Sequence, residues 1–149
     1  MANFRINKGF DVKVLGKPES VIEEYASQQT FAVYPSEFEG IKPRLKVQAG
    51  DSVKRGEALF ENKKNERMVF CSPCGGTIKA VNLGARRFPV EIIIERAAEE
   101  ESVKFEAFSR DSIKSLSREQ LVNHLLGCGI WPLIKQRPFS KIADPDTAP

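Results

Sequence analysis

Cysteine is the first residue type in this sequence that could carry chemistry. Cys71 and Cys74 have the C-x-x-C spacing that binds zinc or cycles between dithiol and disulfide. A tetrahedral zinc site needs two further ligands, and the chain offers only Cys128 and its one histidine, His124. Redox pairs of this spacing open a helix, whereas Ser72-Pro73 predicts a turn. We therefore expect three free thiols and no metal, with His124 as a surface or partly buried boundary residue of a helix rather than a catalyst.

Two pairs of basic residues are the next candidates. Arg86-Arg87 follows Gly84-Ala85, so a tight turn would place two forked donors beside exposed backbone N–H groups. Such a turn could contact a phosphate or a carboxylate, and the alternative is a charged turn on the surface. Lys63 and Lys64 lie on a predicted hairpin, the position that bears the modified lysine in biotinyl and lipoyl carriers. Their flanking residues lack the Met-Lys-Met or Asp-Lys-Ala pattern of those carriers, so we expect no modification.

An aromatic and basic segment near the end of the sequence is the best candidate for a ligand or partner surface. No acidic residue occurs from Gln120 to Ala143. Within this stretch, bases lie beside large apolar residues: Trp131, Arg137, Pro138, Phe139, Ser140 and Lys141. The alternative is that the two aromatic residues are core residues, since large aromatic side chains usually pack.

Composition limits the broad class of protein. The chain has 149 residues, of which 41% are hydrophobic and 29% charged, and its net charge is +3. That mild, mixed charge does not indicate nucleic-acid binding. A spanning helix needs about 18 consecutive apolar residues, and the longest aliphatic run is Ile92 to Ile94. The first residues also lack the pattern of a secretory signal, so we expect a cytoplasmic protein with no transmembrane segment.

The elements that must position these residues begin with an internal repeat. Residues 45–60 and 76–95 each contain a strand, a glycine turn and another strand. Two such units can close on each other as a flattened barrel-sandwich with approximate two-fold symmetry. We predict Gly50 and Gly84 at equivalent turns, a charged hairpin tip at residues 62–67, and strand structure again from Met68. Positive φ is expected at four turn glycines: Gly50, Gly56, Gly76 and Gly84.

Outside the repeat the pattern changes from strand to helix. Alternation predicts strands at residues 4–15 and 31–34, and a strand or extended segment at 103–108. Ser117 and Gln120 form the S-x-x-Q capping box of a helix over residues 118–126 that ends at Gly127 or Gly129. Residues 130–135 are compatible with another helical turn that has Pro132 near its first position. The fold class is α+β, mainly β: a biotinyl/lipoyl-like barrel-sandwich hybrid followed by short helices. We divide the chain into a leading segment (1–30), the barrel (31–98) and an extension (99–149).

Several short motifs, in order, resemble one known family. They are Lys8-Gly9-Phe10-Asp11, Gly40-Ile41-Lys42-Pro43, Gly50-Asp51-Ser52-Val53-Lys54, Leu59-Phe60-Glu61-Asn62-Lys63-Lys64-Asn65, Gly84-Ala85-Arg86-Arg87 and Arg137-Pro138-Phe139-Ser140-Lys141. Together they resemble the amino-terminal part of the A subunit of the bacterial sodium-translocating NADH:quinone reductases. The similarity runs nearly end to end. The paired cysteines at 71 and 74 depart from the family pattern, which favours a structural role for them.

The resemblance implies a peripheral subunit on the cytoplasmic face of the bacterial inner membrane. In that complex NADH, flavins and an iron–sulfur centre belong to other subunits, and ubiquinone is the substrate. The A subunit carries no covalent redox cofactor and is implied to contribute to quinone reduction, so residues 131 and 137–141 would be quinone-proximal or would face partner subunits. This stretch alone would not be catalytic, and a Rossmann-like domain would follow it. The alternatives are a lysine-modified carrier domain and a purely structural adapter.

Overall fold

Antiparallel strands are the main regular elements of the structure, a computed structural model that describes Gly9, residues 14–23 and residues 28–147. The barrel strands are β1 (Thr30–Val33), β2 (Pro43–Leu45), β3 (Ser52–Val53), β4 (Ala58–Asn62), β5 (Asn65–Cys71), β6 (Gly76–Leu83) and β7 (Pro89–Arg96). One sheet has the strand order β1-β7-β6-β3 and the other β2-β4-β5. The predicted strand at 31–34 is therefore confirmed as β1, whereas most of the strand predicted at 4–15 lies outside the described residues.

The two sheets bury one apolar core between them. Leu59, Phe60, Ile92 and Ile94 are fully buried, and along β7 buried residues alternate with more exposed ones, as expected for a strand with one face inward. Phe60 stacks on Phe70 of the neighbouring strand with 4.5 Å between the ring centroids. Stacked rings at this distance add to the stability gained from burial alone. Both copies of the sequence repeat thus contribute residues to the core.

The repeat does not produce two equivalent units. The first copy is divided between the sheets, since β2 and β4 pair with each other while β3 pairs with β6. Both strands of the second copy, β6 and β7, lie in the four-stranded sheet. The turn glycines differ as well: Gly50 has a φ of +95°, but Gly84 has a φ of −94°. The prediction of positive φ is thus correct for Gly50 and Gly56 and wrong for Gly76 and Gly84.

The hairpin between β4 and β5 is tighter than predicted. Its turn contains only Lys63 and Lys64, and strand β5 begins at Asn65 rather than at Met68. The Asn62 side chain accounts for the difference, because its Oδ1 accepts hydrogen bonds from the backbone N–H groups of Lys42 (3.1 Å) and Lys64 (3.2 Å). An asparagine that caps a turn in this way lets the charged residues after it pair as a strand.

A buried carboxylate holds β2 against β4. Glu61 is only 5% exposed, and it accepts hydrogen bonds from Arg44 Nε at 2.6 Å and Lys46 Nζ at 3.1 Å. The hydrogen bond from Arg44 lowers the pKa of Glu61 below its usual value, although burial acts in the opposite direction. A buried charge needs such partners to offset the loss of hydration.

The extension after the barrel begins as an extended segment that lies on the barrel. Arg55 N–H donates to Glu101 O and Val103 N–H donates to Arg55 O, both at 2.9 Å. Glu100 pairs with Arg55 and Arg96 and accepts a hydrogen bond from Gly75 N–H at 3.2 Å. Residues 103–108 form no regular strand, which agrees with the extended alternative. A short helix that the sequence did not predict, α1 (Arg110–Ile113), follows them.

The second helix, α2 (Arg118–Gly127), confirms the predicted capping box. Ser117 Oγ accepts a hydrogen bond from Gln120 N–H, and Gln120 Oε1 accepts one from Ser117 N–H. At the other end Gly129 has a φ of +68°, and the N–H groups of Gly129 and Ile130 donate to the carbonyl groups of Leu126 and Leu125. This Schellman motif stops the helix. The buried residues of α2 are Val122 and Leu126, and the helix packs on β5.

A small hairpin ends the described chain. A 3-10 helix at Trp131–Leu133 is followed by β8 (Lys135–Gln136) and β9 (Lys141–Ile142), which pair with each other. The helical turn expected near Pro132 is therefore confirmed, whereas the sequence analysis did not predict the β8–β9 hairpin. None of the helices formed by the described residues has the length and apolar character needed to cross a membrane. The domain boundaries placed at residues 30 and 98 stay predictions.

Candidate functional site

The β8–β9 hairpin carries most of the aromatic and basic residues singled out in the sequence. Arg137, Pro138, Phe139 and Ser140 form its tip, and Lys141 begins the return strand. All five are exposed, and the Arg137–Pro138 peptide bond is cis. We call residues 135–142 the basic hairpin.

Phe139 is the most exposed aromatic residue of the described chain, at 70%. Lys141 Nζ lies 5.8 Å from the centroid of its ring, close enough for a cation–π contact. At the other end of the hairpin Lys135 Nζ lies 5.0 Å from the ring centroid of Phe38 on the barrel. The hairpin therefore presents an apolar ring with cationic donors close to it, while its base rests on the barrel.

Trp131 lies apart from the hairpin tip. Trp131 belongs to the buried core and is only 8% exposed. Its indole Nε1–H donates a hydrogen bond to Ala143 O at 2.8 Å. Ala143 N–H in turn donates to Ile134 O at 3.2 Å, which joins the two arms of the hairpin at their base. The structure thus separates the two aromatic residues: Trp131 is a core residue, the alternative left open by the sequence, and Phe139 is a surface residue. Trp131 anchors the hairpin rather than lining an open slot.

One neighbouring residue, Leu133, was not singled out in the sequence. It is 67% exposed although it follows the buried residues Trp131 and Pro132. The signal was present, because a 3-10 turn of three residues cannot bury all of its side chains on one side. Leu133 therefore adds apolar surface next to the basic hairpin.

The two cysteines of the C-x-x-C motif have different surroundings. Cys71 Sγ lies against Gly129, where an added Cβ would be 2.5 Å from the sulfur, whereas Cys74 is buried near Glu100. Burial raises the pKa of Cys71 to about 11, with a further contribution from Cys128, so this thiol stays protonated at neutral pH. Within the part of the chain that the structure describes, no three His, Cys, Asp or Glu residues are grouped so that they could hold a metal ion.

His124 belongs to helix α2 and is partly buried. Its Nε2 lies 3.6 Å from Cys128 Sγ, and its ring makes an edge contact with Phe108 at a centroid distance of 4.8 Å. The contact with Phe108 attaches the extended segment before α1 to α2, whereas the contact with Cys128 lies within the end of α2. The expectation of a boundary residue agrees with this placement.

Arg86 and Arg87 lie in the turn between β6 and β7, as the sequence predicted. Both have left-handed backbone conformations, with φ values of 54° and 58°. The structure brings them near Lys63 of the β4–β5 turn and Lys42 just before β2, which the spacing in the sequence could not indicate. Lys64 is directed elsewhere and donates to Gly40 O at 3.4 Å.

Two regions of the chain match models of known protein domains. Residues 4–97 match the family model of the NqrA N-terminal barrel-sandwich hybrid domain, and residues 116–149 match that of the NqrA second alpha/beta domain. The first match agrees with the predicted fold class.

Similar proteins are named as the A subunit of Na(+)-translocating NADH-quinone reductase. The protein of Histophilus somni strain 2336 is 38% identical over 144 residues, and that of Actinobacillus succinogenes is 39% identical over 144 residues. The Yersinia pestis protein is 38% identical over 145 residues. In each case the match covers 97% of this chain and 32% of the relative, so the chain spans about a third of the length of these relatives. The chain belongs to the NqrA family, and residues 4–97 are its N-terminal barrel-sandwich hybrid domain.

Proposed function

We propose that this chain acts within the NqrA subunit of a sodium-translocating NADH:quinone reductase, as a peripheral component that contributes to quinone reduction or to subunit docking. NADH, the flavins and the iron–sulfur centre would be bound by other subunits, and this stretch would carry no redox cofactor. Membership of the NqrA family supports the proposal. The cytoplasmic face of the bacterial inner membrane is the location that such a role requires.

The observation that carries the proposal is the exposure of Phe139 among cations. A quinone site needs an apolar ring to face the quinone and donors for its carbonyl oxygens, which gain negative charge during reduction. Phe139 can provide the ring, and Arg137, Ser140 or Lys141 can provide the donors. No carboxylate occurs in the sequence from Gln120 to Ala143 to neutralise those cations.

The same hairpin suits a membrane or a partner subunit. Each basic residue near an anionic membrane surface contributes about 1 kcal/mol. Lys135, Arg137 and Lys141 together therefore provide a modest attraction that the apolar surface of Phe139 would supplement. The membrane contact would be indirect, through the assembled complex.

Kinetics of the assembled reductase test this proposal. Arg137→Ala should slow quinone reduction at least tenfold while NADH-to-flavin electron transfer is unchanged, because the loss of a hydrogen bond to a charged group costs about 1.5–3 kcal/mol. Phe139→Ala should slow the same step. The two steps are measured separately, by quinone absorbance and by flavin reduction in stopped flow.

Leu83→Ala is the matched control, since Leu83 is 46% exposed on the barrel surface. It should leave both steps unchanged. If the rates of both steps fall equally and in proportion to the amount of complex that fails to assemble, the hairpin has a docking role only. Normal rates in both hairpin variants would contradict the proposal.

A carrier function is the second candidate. It is favoured by the position of Lys63 and Lys64 at the tip of the β4–β5 hairpin, where carriers bear their modified lysine. Their flanking residues argue against it, because they lack the carrier patterns. A lipoyl or biotinyl group would increase the intact mass of the protein, whereas a purely structural adapter would show neither added mass nor an effect on quinone reduction.

A further inference from the structure

A basic cleft lies on the barrel, formed by segments that are distant in the sequence. It has a volume of about 450 Å³ between the start of β2, the β4–β5 turn and the β6–β7 turn. Four cationic residues line it: Lys42, Lys63, Arg86 and Arg87. Its remaining lining residues are apolar and include Ile41, Pro43 and Phe88, and none of the described residues that line it is acidic.

The four cations form no ion pair with a carboxylate among the described residues. The ion pairs elsewhere in the described part of the chain involve other basic residues, such as Arg44 with Glu61 and Arg55 with Glu100. The nearest acid along β7, Glu91, is already engaged, because it accepts hydrogen bonds from Tyr34 Oη at 3.0 Å and Asn82 Nδ2 at 2.8 Å. Four positive charges therefore share one cleft whose described lining supplies no counter-charge.

Like charges also face each other across the β-ladder at this cleft. Lys63 N–H donates to Lys42 O at 2.8 Å, which continues the pairing of β2 with β4 beyond Pro43 and Asn62. Like charges placed opposite each other on neighbouring strands are destabilising. The arrangement is unfavourable for the isolated fold, and an anion bound between the lysines would offset it.

The backbone of the β6–β7 turn is unfavourable in the same way. Arg86 and Arg87 both adopt left-handed conformations that glycine or asparagine adopts more readily. Outliers of this kind collect at functional sites, where the side chain is needed more than the local stability. In this turn the conformation places two guanidinium groups, the side chains best suited to bidentate contact with phosphate, at the edge of the cleft.

We propose that this cleft binds the phosphate group of an organic phosphate, with Arg86, Arg87, Lys42 and Lys63 on the phosphate oxygens and Phe88, Ile41 and Pro43 against the organic part. The source of the phosphate is a soluble phosphomonoester or the head group of an anionic phospholipid. The site is separate from the basic hairpin and does not depend on the proposed quinone function.

Titration of the full chain with phenyl phosphate, followed by calorimetry, tests the soluble source. Flotation with vesicles of phosphatidylglycerol, compared with vesicles of phosphatidylcholine, tests the lipid source. Arg87→Gln and Lys63→Gln should each weaken binding at least tenfold, as expected when one charge-assisted contact is lost. Lys79→Gln is the matched control, because Lys79 is exposed on β6 and does not line the cleft.

The double variant Arg86→Gly, Arg87→Gly separates binding from folding. It should lose binding while its melting temperature stays the same or rises, because glycine relieves the left-handed strain. Saturable binding of either probe, lost in the cleft variants and kept in Lys79→Gln, supports the proposal and identifies the source. Binding of neither probe, or equal loss in Lys79→Gln, would overturn it.

Discussion

Gly76→Ala should destabilise the full chain by about 3 kcal/mol or more, the upper end of what overpacking costs. Gly76 opens strand β6 and pairs with Arg96 of β7. A Cβ at this position would lie 2.0 Å from Glu95 O and 2.9 Å from Glu95 C. Both are backbone atoms of the adjacent strand, so the ladder must break before the methyl group can fit. Urea unfolding followed by far-ultraviolet circular dichroism measures the change.

Gly127→Ala is the matched control for that substitution. Gly127 is the last residue of α2, and a Cβ there would meet no atom within 4 Å. Alanine is favoured over glycine in helices by about 0.5–1 kcal/mol, so this variant should be as stable as the parent protein or slightly more stable. Equal stability of the two variants would show that β6 and β7 are not as close as the structure indicates.

Trp131→Ala should have an effect at least as large, a loss of about 3–5 kcal/mol. The substitution leaves a cavity in the core and removes the donor to Ala143 O. Because that bond fixes the base of the basic hairpin, backbone amides such as those of Ile134 and Ala143 should exchange faster with solvent. Circular dichroism measures the stability, since the only tryptophan of the chain is removed, and hydrogen exchange measures the release of the hairpin.

Two further variants help to interpret the Trp131→Ala effect: one keeps an aromatic ring at position 131, and the other removes an exposed aromatic ring. Trp131→Phe keeps most of the buried volume but loses the N–H donor and part of the ring system, for which we expect about 1–3 kcal/mol. Phe139→Ala removes an aromatic ring that is 70% exposed and should change stability by less than about 0.5 kcal/mol. If Trp131→Ala were as mild as Phe139→Ala, the assignment of Trp131 to the core would be wrong.

Local signals in the sequence predicted local structure well. The prediction of helix α2 was correct because Ser117 and Gln120 lie three residues apart and form reciprocal hydrogen bonds within one turn. Pro132 marked the 3-10 turn for a similar reason, since its fixed φ suits the first position of a helix. The alternating residues at 31–34 indicated strand β1. In each of these cases the interacting groups are close in the sequence.

Features that depend on strand register could not be predicted. Whether Gly84 matches Gly50, and whether Lys42 faces Lys63, is decided by which strands pair and in which register. The basic cleft needs three segments that lie up to 48 positions apart in the numbering, from Ile41 to Pro89. The sequence therefore indicated Arg86 and Arg87 as an anion-contacting turn but could not supply their two lysine neighbours.

The sequence predicted which segment contains the candidate site but not how its side chains are arranged. Absence of acids and a cluster of bases indicated residues 131–141, yet nothing in the sequence separates the roles of Trp131 and Phe139. Burial of Trp131 depends on the carbonyl group of Ala143, twelve residues later, and on the hairpin that brings it back. The two-residue strands β8 and β9 are too short for alternation to reveal.

We propose that the tip of the basic hairpin makes a contact with the quinone or a partner subunit in the assembled reductase. The most direct measurement of this contact is photocrosslinking from a benzoylphenylalanine placed at position 139 of the intact NqrA protein, with position 83 as the control. We predict a covalent adduct from position 139, to ubiquinone or to another subunit, and none from position 83. Absence of any adduct from position 139 in a complex that assembles normally, or the same adducts from both positions, would contradict the claim.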